Sequence, residues 1–547
     1  MTSRLTPLTK IIIGVILFGG LTWGYLSLKK KGVIPETTEV AAGGTQQVSG
    51  GGSTTAGSGP LGSAGNPLKI GLNSFHGWAP AIVANGSSLK TQPGSIYDRK
   101  GVNVEFVLQD DYPTLTTIFT AQTAHCSWRT TDGWAQEQPN LRNGGLDARA
   151  ILIADNTQGA DAIVARDPNI KSIEDLADRS IALLQFTPSH GLLTYALNNS
   201  SLSGRKKASV KQVFIDADEG TTGVLAALTS GNVDAAGLWD PDLATALTSG
   251  AHVIYSTKTA SNLIYDTIVC DTKFLTPAND TLFTNFVGGW MEGVDQANRD
   301  KSLAAAAVIK TMEFYKLLAD KQGQPFMLGL FGNLVLTGLS ENIRILGLAK
   351  GGTNHYERVY HEFDIVYREI GTLANPNSPV INPPDSFEYK YIRSLMAAQP
   401  TAAVEAQKPV FTFNTAEAKK AVQAPATVTK PVVVNFGTNE AVLNTRAKNI
   451  LDNEVGPLVE TYGSAYFEIS GNTDSTGTAA VNKRISYARA QSVVEYLVAE
   501  WDFPRERFTV IGNGPDKPLC DESNPEGTLD ECRAMNRTTR IAVHARN

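Results

Sequence analysis

Residues 32–66 read GVIPETTEVAAGGTQQVSGGGSTTAGSGPLGSAGN and hold few large apolar side chains. A segment of this composition cannot bury enough surface to offset its chain entropy, so it cannot belong to a packed core. It predicts a flexible tether, with a typical reach of roughly 30–35 Å for a Gly/Ser-rich chain of this length. A second interruption, 396–429, is rich in Ala, Pro, Gln and Thr and reads as a further linker. Together they oblige the 547 residues to fold as separate pieces, with a body at 67–395 and a last domain at 430–547.

Ahead of the tether, Ile11–Leu28 (IIIGVILFGGLTWGYLSL) carries no charge and is about the minimum for a membrane-spanning helix. Three lysines follow it, with no small-residue cleavage pattern, so a retained anchor is expected. This gives a cytoplasmic stretch 1–10, a span 11–28 and a linker 29–66. Arg4 and Lys10 before the span balance Lys29, Lys30 and Lys31 after it, which leaves orientation open. Gly20 and Gly24 form a G-x-x-x-G face, a weak association signal.

The net charge of −6, without a basic stripe, argues against nucleic-acid binding. No P-loop, dinucleotide glycine fingerprint or G-x-S-x-G elbow is present, and no cofactor is expected. The seven histidines are scattered; His355 and His361 fall on different helix faces, so no metal site is expected. Cys520 and Cys532 bracket a short polar loop and predict a disulfide, hence an oxidising compartment. Cys126 and Cys270 sit in apolar runs and read as buried small residues.

The last domain predicts an α+β unit: strand PVVVNFG, a helix, strand YFEISG, a helix over 482–500, and strands FTVIGNG and TRIAVHA. In the 482–500 helix, Tyr487, Ala490, Val494, Leu497 and Trp501 fall at core spacing. Asn482, Ser486 and Arg489 share an adjacent polar line. Thr473, Asp474, Thr476 and Gly477 precede the helix. Asp474 suits an ammonium and Arg489 a carboxylate, which together would hold the zwitterionic centre of an amino acid. The alternative is a salt bridge between the two that staples loop to helix.

The runs SGNTDSTGTAAVNKRISYARAQSVVEYL, FTVIGNGPDKPL and AMNRTTRIAV resemble the OmpA-like peptidoglycan-binding domain. The resemblance implies noncovalent binding of the diaminopimelate stem peptide by Asp474 and Arg489, supported by Thr473, Thr476, Asn482, Thr438, Asn439 and Arg537. It also implies a cytoplasmic N-terminus and a periplasmic bulk. Asn472, Gly437 and Thr538 stand where that family often carries His, an acidic residue and a second Arg.

Residues 67–395 alternate short apolar runs with amphipathic stretches, which is α/β wiring. SIEDLADRSIALLQFTPSHGLLTYAL and TTGVLAALTSGNVDAAGLWDPDLATAL resemble periplasmic solute-binding proteins of the nitrate/sulfonate/taurine and thiamine-precursor group. That likeness implies a type II fold, with lobe one at about 67–155 and after Tyr265, and lobe two at about 156–260. Loops at strand ends should line the cleft. They offer Asn73, Phe75 and Trp78; Asp132 and Trp134; Gln158, Gly159 and Asp161; Thr187, Ser189 and His190; and Trp239 and Asp240. The tryptophans also suit the core, and Thr187-Pro188 suits any helix start. The carboxylates favour an amine or polyol, the helix start an acid, and a zwitterion or small polar heterocycle suits both.

The whole chain thus reads as a multidomain binding protein, not an enzyme: a single-pass inner-membrane anchor, a periplasmic solute-binding-like domain and a wall-binding domain. Its expected partners are peptidoglycan, a small polar solute and either an inner-membrane transporter or a motor subunit. The alternative is a wall-anchoring subunit of an ion-driven motor, whose membrane helix commonly bears an Asp that Ile11–Leu28 lacks. The thiamine-precursor branch includes an enzyme, but its Cys-rich signature is absent.

Overall fold

The computed structural model describes residues 59–546 except 218, 372, 374–376, 409, 435, 437–439 and 526. The expected span 11–28 therefore lies outside the described residues, as does most of the tether. Among the described residues no helix is long and apolar enough to cross a membrane. Residues 59–66, at the tether's end, turn back on the body, where Asn103 N–H donates to Gly62 O at 2.8 Å.

Four strands open the body: β1 (Leu68–Leu72), β2 (Val104–Leu108), β3 (Cys126–Thr130) and β4 (Ala148–Thr157). The chain then crosses to a second sheet made of β5 (Asp161–Ala165), β6 (Ser180–Leu183), β7 (Lys211–Phe214), β8 (Ala235–Trp239) and β9 (His252–Ser256). It returns through β10 (Tyr265–Asp271) and β11 (Leu334–Leu336) to the first. The sheet orders are β11-β4-β10-β3-β1-β2 and β7-β6-β8-β5-β9. Two lobes joined by two crossovers, at 158–160 and 257–264, make a periplasmic-binding-protein-like fold. β4, β5 and β10 are buried almost throughout, as strands covered on both faces by helices must be.

Cys126 and Cys270 face each other across the antiparallel β3–β10 pair and are bonded, which corrects the reading of two isolated buried thiols. A separation of 144 residues hides from the sequence that the two strands are neighbours. The second bridge, Cys520–Cys532, closes the polar loop as expected.

The last domain is a four-stranded sheet in the order β12-β15-β13-β14, with β12 (Val428–Val432), β13 (Tyr466–Asn472), β14 (Phe508–Gly514) and β15 (Thr539–His544). The Ala479–Trp501 helix connects the parallel strands β13 and β14 and lies on both. Its approach is so close at its first turns that a Cβ on Gly471 would stand 2.0 Å from Ser486 O. Only small polar side chains fit there. Asn482 and Ser486 are therefore buried, and Tyr487, expected in the core, is 50% exposed. Val493 takes its place beside Ala490, Val494 and Leu497.

Residues 396–429, read from composition as a linker, are folded. They carry the Pro400–Glu405 and Thr415–Ala421 helices and the start of β12. Ala418 and Ala421 pack against Phe413 and Tyr466, and Tyr466 Oη donates to Glu417 at 2.7 Å.

The last domain docks on the body. Asn262, in the second crossover, donates its backbone N–H to Thr461 O at 3.0 Å and its Nδ2 to Glu460 O at 2.8 Å. Ser464 Oγ donates to Lys258 O at 2.8 Å, again within that crossover. On lobe one, Arg358 from the His355–Glu369 helix pairs with Glu460 at 3.1 Å and donates to Thr461 Oγ1 at 2.7 Å. On lobe two, Tyr255 and Tyr462 join hydroxyls at 2.7 Å, and Lys430 Nζ donates to Asn199 Oδ1 at 3.0 Å.

Candidate functional sites

Between the lobes lies a cleft of about 530 Å³. Lobe one lines it with Asn73, Phe75, Asp110, Tyr112, Trp128, Glu137 and Asp266; lobe two with Asp161, Phe186, Thr187, Phe214, Asp216 and Trp239. Of the sequence-derived candidates, Asn73, Phe75, Asp161, Thr187 and Trp239 thus reach the cleft wall.

The others lie elsewhere. Trp78 is fully buried against Trp128 and Trp290, and its Nε1 donates to Asn73 Oδ1 at 2.9 Å, so it braces a wall residue from behind. Asp132 is buried beneath the cleft, where burial pushes its carboxyl up to about 6. Asp240 accepts from Asn333 Nδ2 at 2.7 Å, and burial pushes it up to about 7. Trp134 is buried and donates to Ser386 O. Gln158 and Gly159 form the first crossover; Gln158 N–H donates to Asn333 O at 2.9 Å, and Gly159 N–H to Thr257 Oγ1 at 2.9 Å. Ser189 and His190 are inside lobe two, and burial lowers His190 to about 4, leaving it neutral at physiological pH.

Several wall residues were missed. Phe186 adjoins Thr187 and Trp128 lies four residues before Asp132, while Asp110 and Tyr112 follow β2 and the 214–216 segment ends β7. Applying the strand-end rule to every strand would have found these last ones. Asp266 gave no such signal, because it stands at the start of β10, which reaches the carboxyl ends of β3 and β4 only by running antiparallel to them.

Carboxylates dominate the electrostatics of the cleft. Glu137 is taken up by the buried Arg129, whose Nη2 donates to Glu137 Oε1 at 2.8 Å. Asp110 accepts from Ser74 Oγ at 2.9 Å. Asp266 accepts from Trp128 Nε1 and stands against Asp155; burial raises both carboxyls, and the Asp266 charge raises Asp155 further. Burial also raises Asp161 well above the usual carboxylate range. Thr157 relieves it in part, while Asp266, Asp132 and Asp240 add to the rise. Among the described residues no group of three or more His, Cys, Asp or Glu side chains is placed to hold a metal.

In the last domain, β13 ends at Asn472, whose Nδ2 donates to Thr538 O at 3.1 Å. The loop that follows places Asp474 ahead of the helix, capped by Thr478. Asp474 Oδ1 accepts from Thr476 N–H at 3.0 Å. Asn482 Nδ2 holds the same loop through Thr476 O at 3.0 Å. Asp474 Oδ2 is paired with Arg537. Arg489 donates Nε to Glu440 O at 2.9 Å and lies over the Phe436 ring at 5.1 Å. Burial and the Arg537 charge lower the Arg489 pKa while Asp474 supports it, so the three groups share one site. The buried Thr473 hydroxyl has no hydrogen-bond partner among the described residues. Thr438 and Asn439 lie outside the described residues.

Residues 435–529 match the OmpA family. Outer membrane protein Omp38 of Acinetobacter baumannii is 36% identical over 104 residues, covering 19% of this chain and 28% of that protein. Outer membrane protein A of Yersinia pseudotuberculosis is 28% identical over 178 residues, 28% of this chain and 50% of that protein. The chain thus spans between about a quarter and a half of these relatives. Among solved structures, the periplasmic aliphatic sulphonate binding protein SsuA from Escherichia coli is 13% identical, with a TM-score of 0.45, over 60% of this chain and 99% of that one. The alkanesulfonate-binding protein SsuA from Xanthomonas axonopodis pv. citri, bound to MOPS, is 14% identical with a TM-score of 0.42, over 58% and 97%.

Proposed function

We propose that this is an envelope protein that captures a small polar solute in its two-lobed cleft and holds the cell wall through its last domain. On this reading Ile11–Leu28 anchors the chain in the inner membrane and the remainder is periplasmic. No catalytic role is assigned. The cleft carries the solute half of the reading: its walls come from two lobes hung on two crossovers, so closing the lobes would bury a small molecule from both sides.

The wall half rests on the cluster of Asp474, Arg489 and Arg537 at the start of a helix in an OmpA-family domain. Asp474 takes the ammonium of a diaminopimelate centre and Arg489 its carboxylate. The Asp474–Arg537 pair is half-exposed on the arginine side, and opening such a pair costs no more than about 1 kcal/mol. Pull-down of the full chain with diaminopimelate-type sacculi tests this: Asp474→Ala and Arg489→Ala each abolish retention, and undiminished retention by both variants rejects the assignment. A thermal-shift screen of polar metabolites tests the cleft, since a ligand at 100 times its Kd stabilises by about 2.7 kcal/mol.

A further inference from the structure

Among the described residues the cleft wall contains no Lys, Arg or His, but five carboxylates and six aromatic rings. Two carboxylates are already engaged: Glu137 by Arg129, and Asp110 by Ser74. Asp216 is exposed on the wall, while Asp161 and Asp266 are only 2% and 3% exposed. The charged groups facing Asp161 are Asp266, Asp132 and Asp240; those facing Asp266 are Asp155 and Asp132. Acidic groups are thus gathered in a low-dielectric hollow, with Arg129 behind its wall already taken up by Glu137. A bound anion would meet carboxylates there and no free guanidinium. The aromatic rings supply the second half of the match. Trp128 donates its indole N–H to Asp266, so the ring meets a buried carboxylate along its N–H edge, and Phe75 and Trp239 extend the wall. A hard metal cation wants oxygen ligands all round it. An alkylated ammonium gains from ring faces as well as from carboxylates.

We propose that the solute is an organic cation, an amine or quaternary ammonium, with its charge against Asp161 and Asp266 and its alkyl groups against Trp128, Trp239 and Phe75. This rests on the solute-binding reading and names its ligand class.

Because burial raises both carboxyls, protonation competes with the cation, and affinity falls as pH drops through their range. The test is calorimetry and thermal shift on the full chain with choline and putrescine, against the uncharged carbon isostere of choline and methanesulfonate. At least one cation binds, more weakly at pH 5 than at pH 8, and neither control does. Asp161→Asn, which relieves the carboxylate crowding and so keeps the fold, weakens that binding by at least roughly 30-fold. Binding of methanesulfonate or the isostere without either cation overturns the inference and leaves solute capture standing. Silence from both cations overturns it too, and the metabolite screen then judges solute capture separately.

Discussion

Arg358 is the charge on which docking of the last domain turns. Its side chain is 12% exposed and pairs with Glu460 at 3.1 Å and Glu362 at 3.0 Å. Arg358→Ala leaves both carboxylates close together without their counter-ion, one of them 8% exposed. Removing one partner from a buried pair costs about 3–5 kcal/mol, and the two carboxylates place this case toward the upper end. The pH dependence follows from Glu460, whose carboxyl burial already raises despite Arg358. Without the arginine it rises further, so the folded variant binds that proton more tightly than the unfolded chain. Stability is then recovered on acidification and lost as pH rises through the folded value. Urea unfolding followed by tryptophan fluorescence should show a variant well below wild type at pH 7, with the gap narrowing toward pH 5. Small-angle scattering at pH 7 should show a larger radius as the domain undocks. A wild-type midpoint at pH 7, or a gap that widens in acid, would refute the electrostatic account.

Two further outcomes are expected. Cys126→Ser with Cys270→Ser frees a loop of 144 residues and should lower stability by about 5 kcal/mol, against about 3 for opening the 12-residue Cys520–Cys532 loop, measured by chemical denaturation without reductant. Gly471→Ala drives a methyl toward Ser486 O, 2.0 Å from the ideal Cβ. It should cost at least roughly 1–3 kcal/mol and reduce sacculus retention, because the same helix carries Asn482 and Arg489; an unchanged unfolding midpoint would contradict the close approach.

The lobes and the last domain were legible because strand-and-helix alternation and local motif spacing are short-range signals. Asp474 and Arg489 stand fifteen positions apart on one loop and helix, and the fold keeps them together. What was hidden depends on partners far away in the chain. Asp266 and Trp128 meet across β3 and β10, and nothing local in YDTIVCD marks its first carboxylate as part of a cleft wall. Arg537 lies 63 residues from Asp474, so their ion pair leaves no local signal in the sequence. Tyr487 fits a helical core stripe, but the gap beneath it is set by glycines on two strands, which periodicity does not register. Residues 396–429 look like a linker because alanine is ambiguous: Ala418 and Ala421 are exposed in a free peptide and buried against Tyr466 here.

The last domain grips the 257–264 strap as well as both halves that the strap joins. Any hinge motion there drags at Asn262 and Tyr255, and whatever immobilises residues 430–546 immobilises that flank of the hinge. On the proposed wall-binding reading, tension on the murein mesh would reach the hinge between the lobes through these few polar contacts.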